Sequence, residues 1–145
     1  PDGDEYYLAN ISACPDLLFA DCKVSNNFAR GVLIKTKRAE VCGCTFENTH
    51  SAAVRVSAEE SWGEGISAED VRIHDNVFIN CARQVGPASA VAAFTDSKTG
   101  EGEQIGSVRV YNNTVIGSGD VPDFYLKNVR EPRIDDNVSA YAAKK

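Results

Sequence analysis

Glu59, Glu60 and Glu64 surround Trp62 in the stretch Ser57 to Glu69, SAEESWGEGISAE, and this is the best local constellation of reactive side chains in the sequence. Hydrolysis of a glycosidic bond needs two carboxyl groups, one to protonate the leaving oxygen and one to activate water or attack. An indole face packs against the apolar face of a sugar ring, while carboxylates bond its hydroxyls. On this reading Glu59, Glu60 and Glu64 are acid and base candidates and Trp62 is the sugar platform. The same residues also describe a solvated acidic loop with Trp62 folded over its edge, because charged loops ordinarily face water.

Other reactive types are more scattered. Asp21, Asp75 and Asp136 occupy the same place in a repeated template, which makes them a second carboxylate set, with Asp75 a candidate substrate contact. Asp, Asn and Gly are also the ordinary residues of bends, and turn chemistry is the preferred explanation. His74 and His50 have no evident Ser or Cys partner and read as surface residues. Arg72, Arg109 and Arg133 fall in one row, suited either to an acidic polysaccharide or to a solvated strand face. The five cysteines, Cys14, Cys22, Cys42, Cys44 and Cys81, cannot all pair internally. Cys42 and Cys44 are expected to share one strand face, with Cys22 one repeat below Cys44. Lacking a second pair at zinc-ligand spacing or a nearby His, they are expected to be buried thiols, with no metal and no cofactor. A Cys22 to Cys44 bridge between neighbouring repeats lies within reach.

The elements that must position these groups follow from an internal repeat. Starting at Leu17, Ala39, Val71, Val108 and Pro132, the windows LLFADCKVSN, AEVCGCTFEN, VRIHDNVFIN, VRVYNNTVIG and PRIDDNVSAY fit one template without gaps. The sixth position holds Cys22, Cys44, Asn76, Asn113 and Asn137; the eighth holds Val24, Phe46, Phe78, Val115 and Ser139. Alternate side chains of a strand face opposite ways. The period therefore points Val71 and Ile73 inward and Arg72, Arg109, Glu40 and Arg133 outward. Each window predicts a strand, a bend and a short strand, and units with one apolar face are stable only when stacked. Stacked inward asparagines can bond one another and the backbone groups freed at the bend.

Further strands are expected in ARGVLIKT, AAVRVSA, AVAAFTDS and FYLKN, giving at least two sheets. EYYLANI, from Glu5, resembles FYLKNV and is expected to close another repeat. Two repeats are enlarged, by Ser57 to Glu69 and by Asp96 to Gly106. Insertions at one edge of a repeat architecture commonly build its binding face. The fold expected is all-β, a right-handed parallel β-helix of about five coils forming a single domain over residues 1–145. Cut ends of such a stack expose strand edges and invite self-association.

With 145 residues and 43% hydrophobic content, the chain can bury one core. A net charge of -6 argues against nucleic acid and anionic membrane surfaces. No apolar run approaches the length of a membrane span. The chain opens at Pro1 without Met and is expected to be a piece of a larger protein, truncated on its N-terminal side.

NISACPDLLFADCKVSNNFARGVLIKT, with CTFENTHSAAVRVS, ESWGEG and DVRIHDNVFIN, resembles the parallel β-helix of the α-1,3-galactosidases of glycoside hydrolase family 110, in a C-terminal portion only. The resemblance covers nearly the whole chain. Its more specific parts are the ARG-x-L-x-x-T segment and the Trp-bearing loop. It implies an extracytoplasmic bacterial exo-glycosidase acting on terminal α-galactosides with inversion. Glu59 and Glu60 stand where the family carries acidic residues before the Trp. Arg30, in the family-like ARG, is placed beside the loop face as a bidentate donor for a substrate hydroxyl or carboxylate. Alternatives are a non-catalytic β-helix module for glycan binding or spacing, and a polysaccharide lyase-like β-helix directed at uronates.

Overall fold

The computed structural model describes residues 10–59, 65–82, 89–95, 104–117 and 120–142. After a short 3₁₀ turn at Ile11–Ala13, strands are dealt in rotation to three parallel sheets. The first contains β1 (Leu17–Ala20), β4 (Arg38–Cys42), β7 (Asp70–His74), β10 (Ile105–Tyr111) and β13 (Val129–Asp135). The second contains β2 (Lys23–Ser25), β5 (Thr45–Glu47), β8 (Val77–Ile79), β11 (Thr114–Gly117) and β14 (Val138–Tyr141). The third contains β3 (Val32–Ile34), β6 (Val54–Val56), β9 (Val91–Ala93) and β12 (Phe124–Leu126). All-parallel pairing with this rotation is compatible with a parallel β-helix.

The repeat windows stack in the register their alignment predicts. Leu17, Ala39, Val71, Val108 and Pro132 are successive cross-strand partners in the first sheet. Val24, Phe46, Phe78, Val115 and Ser139 do the same in the second. Their inward column is filled in the middle of the stack, where Val41, Ile73, Val110, Phe46 and Phe78 are fully buried. The Phe46 and Phe78 rings stack 5.4 Å apart. At about 1.5–3 kcal/mol for each large apolar side chain buried, this column is the main source of cohesion.

The bend between the first two sheets places the fifth template residue in the left-handed region in every repeat, at Asp21, Gly43, Asp75, Asn112 and Asp136. Asp and Asn tolerate that conformation better than other side chains, and Gly adopts it freely. Turn chemistry therefore accounts for the aspartate row. An added Cβ at Gly43 would also press on the Asp21 carboxylate. Gly43→Ala is expected to lose about 1–2 kcal/mol, read as a lower urea midpoint, with Gly43→Asn less affected.

The left-handed bend also overturns one expectation about the cysteines. Alternation breaks at Gly43, so Cys42 lies on the outer face with Glu40 while Cys44 turns inward and is buried. The two do not share a face. Cys22, expected to be buried, is exposed, and all five thiols are free. The column at the same place is completed by Asn76, Asn113 and Asn137. Asn76 and Asn113 are 1% exposed, and the Asn76 and Asn113 amides bond each other at 3.0 Å. The next pair, Asn113 and Asn137, is joined at 2.9 Å. Each Nδ2 also donates to a strand carbonyl of the preceding repeat, that of Val41, Ile73 or Val110.

The segments expected to add a further strand to each repeat contain β3, β6, β9 and β12, which make the third sheet. The second enlargement is shorter than expected, because Ile105 and Gly106 belong to β10 and Ile105 is buried against the core. Residues 96–103 of that insertion, and residues 5–9 of the EYYLANI segment, lie outside the described residues. Among the described residues no helix is long and apolar enough to cross a membrane.

Candidate active site

Of the acid and base candidates, Glu59 is described; Glu60, Trp62 and Glu64 lie outside the described residues. Glu59 follows β6 and is 6% exposed, so it is not part of a solvated loop. Its burial is possible because three cations converge on it. Lys35, just after β3, donates to Oε2 at 2.8 Å. Arg30, at the corner before β3, donates to Oε1 at 3.1 Å. The Arg55 guanidinium, on β6, stands 3.4 Å from the same oxygen. Leu33 and Arg55 are cross-strand partners, so the third sheet brings these groups together from adjacent repeats.

Arg55 is held from above as well, its guanidinium lying 4.0 Å over the Phe94 ring. Burial alone would push the Glu59 carboxyl upward; the Lys35 hydrogen bond and the charges of Lys35, Arg30 and Arg55 outweigh it and hold the group below the ordinary glutamate range. Glu59 is therefore an ionised acceptor at neutral pH. The Nε of Arg30 is buried and has no hydrogen-bond partner among the described residues. The far end of the inserted loop returns to the same place: Gly65, at φ +80°, lies over the Lys35 stem, where an added Cβ would meet Cδ at 2.8 Å. Arg30 and Glu59 are thus joined, with Gly65 close by over Lys35.

Asp75 is not part of this group. It sits at the bend between the first and second sheets, and its carboxylate bonds Nδ1 of His74 at 2.6 Å. His74 is not a simple surface residue. Its Nε2 faces Glu40 at 3.0 Å, and its ring stacks on Tyr111 with centroids 4.7 Å apart. Cys42 and His74 are cross-strand partners, which corrects the expectation that no histidine lies near the cysteines. Burial, followed by the charges of Glu40, Asp21 and Asp75, pushes the Cys42 thiol upward.

The arginine row is largely internally paired. Arg72 meets Glu40 at 3.1 Å and Arg109 meets Asp70 at 3.2 Å. A concavity of about 470 Å³ opens elsewhere, lined among others by Asn48, Asn80, Asp120, Asp123 and Tyr141, with neither Glu59 nor Arg30 in its wall. Lys35 and Arg55 are absent from the residues singled out in the sequence. Part of their signal was available: the third-strand segments align as VLIKT over VRVSA, which sets Arg55 beside Leu33 and Lys35 two residues further along the same segment.

No protein-family model matches the chain, and no solved structure matches it. Among curated proteins, it is 31% identical over 126 residues to alpha-1,3-galactosidase A of Bacteroides fragilis, an alignment that covers 83% of this chain and 21% of the relative. It is 33% identical over 81 residues to alpha-1,3-galactosidase B of Phocaeicola vulgatus, covering 54% of this chain and 13% of the relative. The chain thus spans about a fifth of the length of the first of these relatives. It is a homologue of one segment of the alpha-1,3-galactosidases, members of glycoside hydrolase family 110.

Proposed function

We propose that this chain is one portion of a carbohydrate-active hydrolase that removes terminal α-galactosides, and that its three sheets are the faces of a right-handed parallel β-helix whose coils are the repeats. The observation that carries the reading is the homology to alpha-1,3-galactosidases across a segment containing the ionised, buried Glu59 and its loop. The rotation of strands through three parallel sheets supports the β-helix. The substrate is a glycan, and the site is extracytoplasmic, as expected of an enzyme meeting polymeric or surface-bound sugars.

In this mechanism Glu59 is the carboxylate and not the proton donor, since the cations around it favour the charged form. Glu60 or Glu64 supplies the proton to the leaving oxygen, and Trp62 carries the sugar ring. Arg30, with its inward Nε, orients a hydroxyl next to Glu59. The ion pairs of Arg72 and Arg109 favour the hydrolase over a lyase directed at uronates.

The test is hydrolysis of a chromogenic α-galactoside by the protein that carries this chain. Glu59→Gln and Glu60→Gln are each expected to lower kcat by at least 100-fold, with folding checked by circular dichroism. Full activity in both folded variants would remove these residues from the mechanism. Binding of galactosides without turnover in any form would favour a non-catalytic module.

A further inference from the structure

We propose that Glu40, Cys42 and His74 bind a zinc ion on the outer face of the first sheet, with Asp75 orienting the imidazole. This site lies at a different corner of the repeat from Glu59 and does not depend on the glycosidase reading. Glu40 and Cys42 are two residues apart on β4, on its outer face, and His74 is the direct partner of Cys42 on β7. One ligand atom from each lies within 4.8 Å of the others. Zinc bonds of about 2.0–2.3 Å place tetrahedral ligand atoms roughly 3.5 Å apart. Closing the set therefore takes side-chain rotation of about 1 Å, on strands whose backbones are fixed by the ladder.

Three further contacts prepare the ligands. Nδ1 of His74 faces the Asp75 carboxylate at 2.6 Å and Nε2 faces Oε1 of Glu40 at 3.0 Å; with Asp75 accepting the Nδ1 hydrogen, Nε2 is the nitrogen at which zinc would stand in place of a proton. A carboxylate behind a metal-bound histidine is the usual device for fixing tautomer and ring orientation. Tyr111, from the next repeat, stacks on the ring at 11° and fixes its plane. Arg72 holds Oε2 of Glu40, while Oε1 points at Nε2 of His74, so a metal entering between that oxygen and that nitrogen leaves the Arg72 ion pair intact. Thiolate, imidazole and carboxylate together match zinc, a borderline-soft ion, better than calcium or magnesium, which take oxygen ligands. With three protein ligands, the fourth position goes to water.

The site is tested by titrating the full chain with cobalt(II) as a spectroscopic probe and then displacing it with zinc. Wild type is expected to take up one equivalent, with the near-ultraviolet absorption of a thiolate–cobalt bond, and zinc abolishes the signal. Cys42→Ser loses that absorption. His74→Ala and Glu40→Gln weaken zinc binding, His74→Ala by at least 100-fold. Asp75→Asn keeps the left-handed bend and the thiolate absorption but weakens zinc about 10–100-fold, as loss of an orienting partner does. Circular dichroism in the absence of metal verifies that each variant is folded. The proposal is overturned if one equivalent of cobalt gives no thiolate absorption, if the absorption persists in Cys42→Ser through another cysteine, or if the folded Glu40→Gln and His74→Ala proteins bind zinc as wild type does.

Discussion

Replacing Glu59 by Gln is expected to destabilise the chain by about 3 kcal/mol, a shift of more than a hundredfold in the folding equilibrium. The side chain is isosteric, so the loss is electrostatic. Arg30, Lys35 and Arg55 converge on this one carboxylate, and with an amide in its place three positive charges remain close together in a poorly hydrated corner. The same coupling makes stability depend on pH. Because the folded protein holds Glu59 below its ordinary value, the unfolded chain binds this proton more readily. The contribution is fully present above the ordinary glutamate pKa of about 4.3 and is lost as pH falls through the depressed folded value. Urea denaturation of wild type and Glu59→Gln at pH 7 and near pH 3 checks both claims: the difference between them should be large at pH 7 and shrink in acid. An unchanged difference across that range would mean that Glu59 does not act through its charge.

Asn113→Leu is expected to cost about 4 kcal/mol, the largest loss from any single substitution on the inner column. Asn113 is 1% exposed, and its Oδ1 accepts from both the backbone N–H and the side-chain Nδ2 of Asn76. Its Nδ2 shares two hydrogens among the carbonyls of Ile73 and Tyr111 and Oδ1 of Asn137. Leucine fills a similar volume and offers none of these. Each buried polar group left unsatisfied costs about 1–3 kcal/mol, and a backbone N–H and carbonyls are stranded together. Asn113→Asp does not rescue it, since a second oxygen would face the Ile73 and Tyr111 carbonyls. The check is a denaturant midpoint for both variants beside Ile116→Ala, a site 41% exposed that should lose far less.

The stack was legible because its register is written in the spacing of single residues. Aligning Cys22, Cys44, Asn76, Asn113 and Asn137 reproduces the ladder of the first two sheets without a slip. A one-residue error would have turned Ile73 and Phe78 to solvent. Strands of the third sheet, such as β6 and β9, are three residues long, too short to show a period of their own, so the sequence suggested their presence but not their number of sheets. The Cys42 face was misjudged because alternation assumes extended backbone, and Gly43 at φ +63° is not extended. The burial of Glu59 was hidden from the sequence for a different reason: its partners lie 29, 24 and 4 residues away. A loop's own composition carries no trace of them. His74 read as a surface residue for the same reason, since Glu40 stands 34 residues earlier, although both positions were already on the template.

The asparagine ladder has a consequence for how the stack can grow. Its amides all point one way: Asn76 donates to Asn113, Asn113 donates to Asn137, and each oxygen receives from the repeat before it. The column therefore has a donor end and an acceptor end, like a chain of compass needles laid tip to tail. Any coil added after Asn137 must present its acceptor to this chain, whether it comes from the same polypeptide or from another. Only a coil stacked in the same sense continues the ladder, so the polarity of the amides fixes the direction in which one parallel coil follows another.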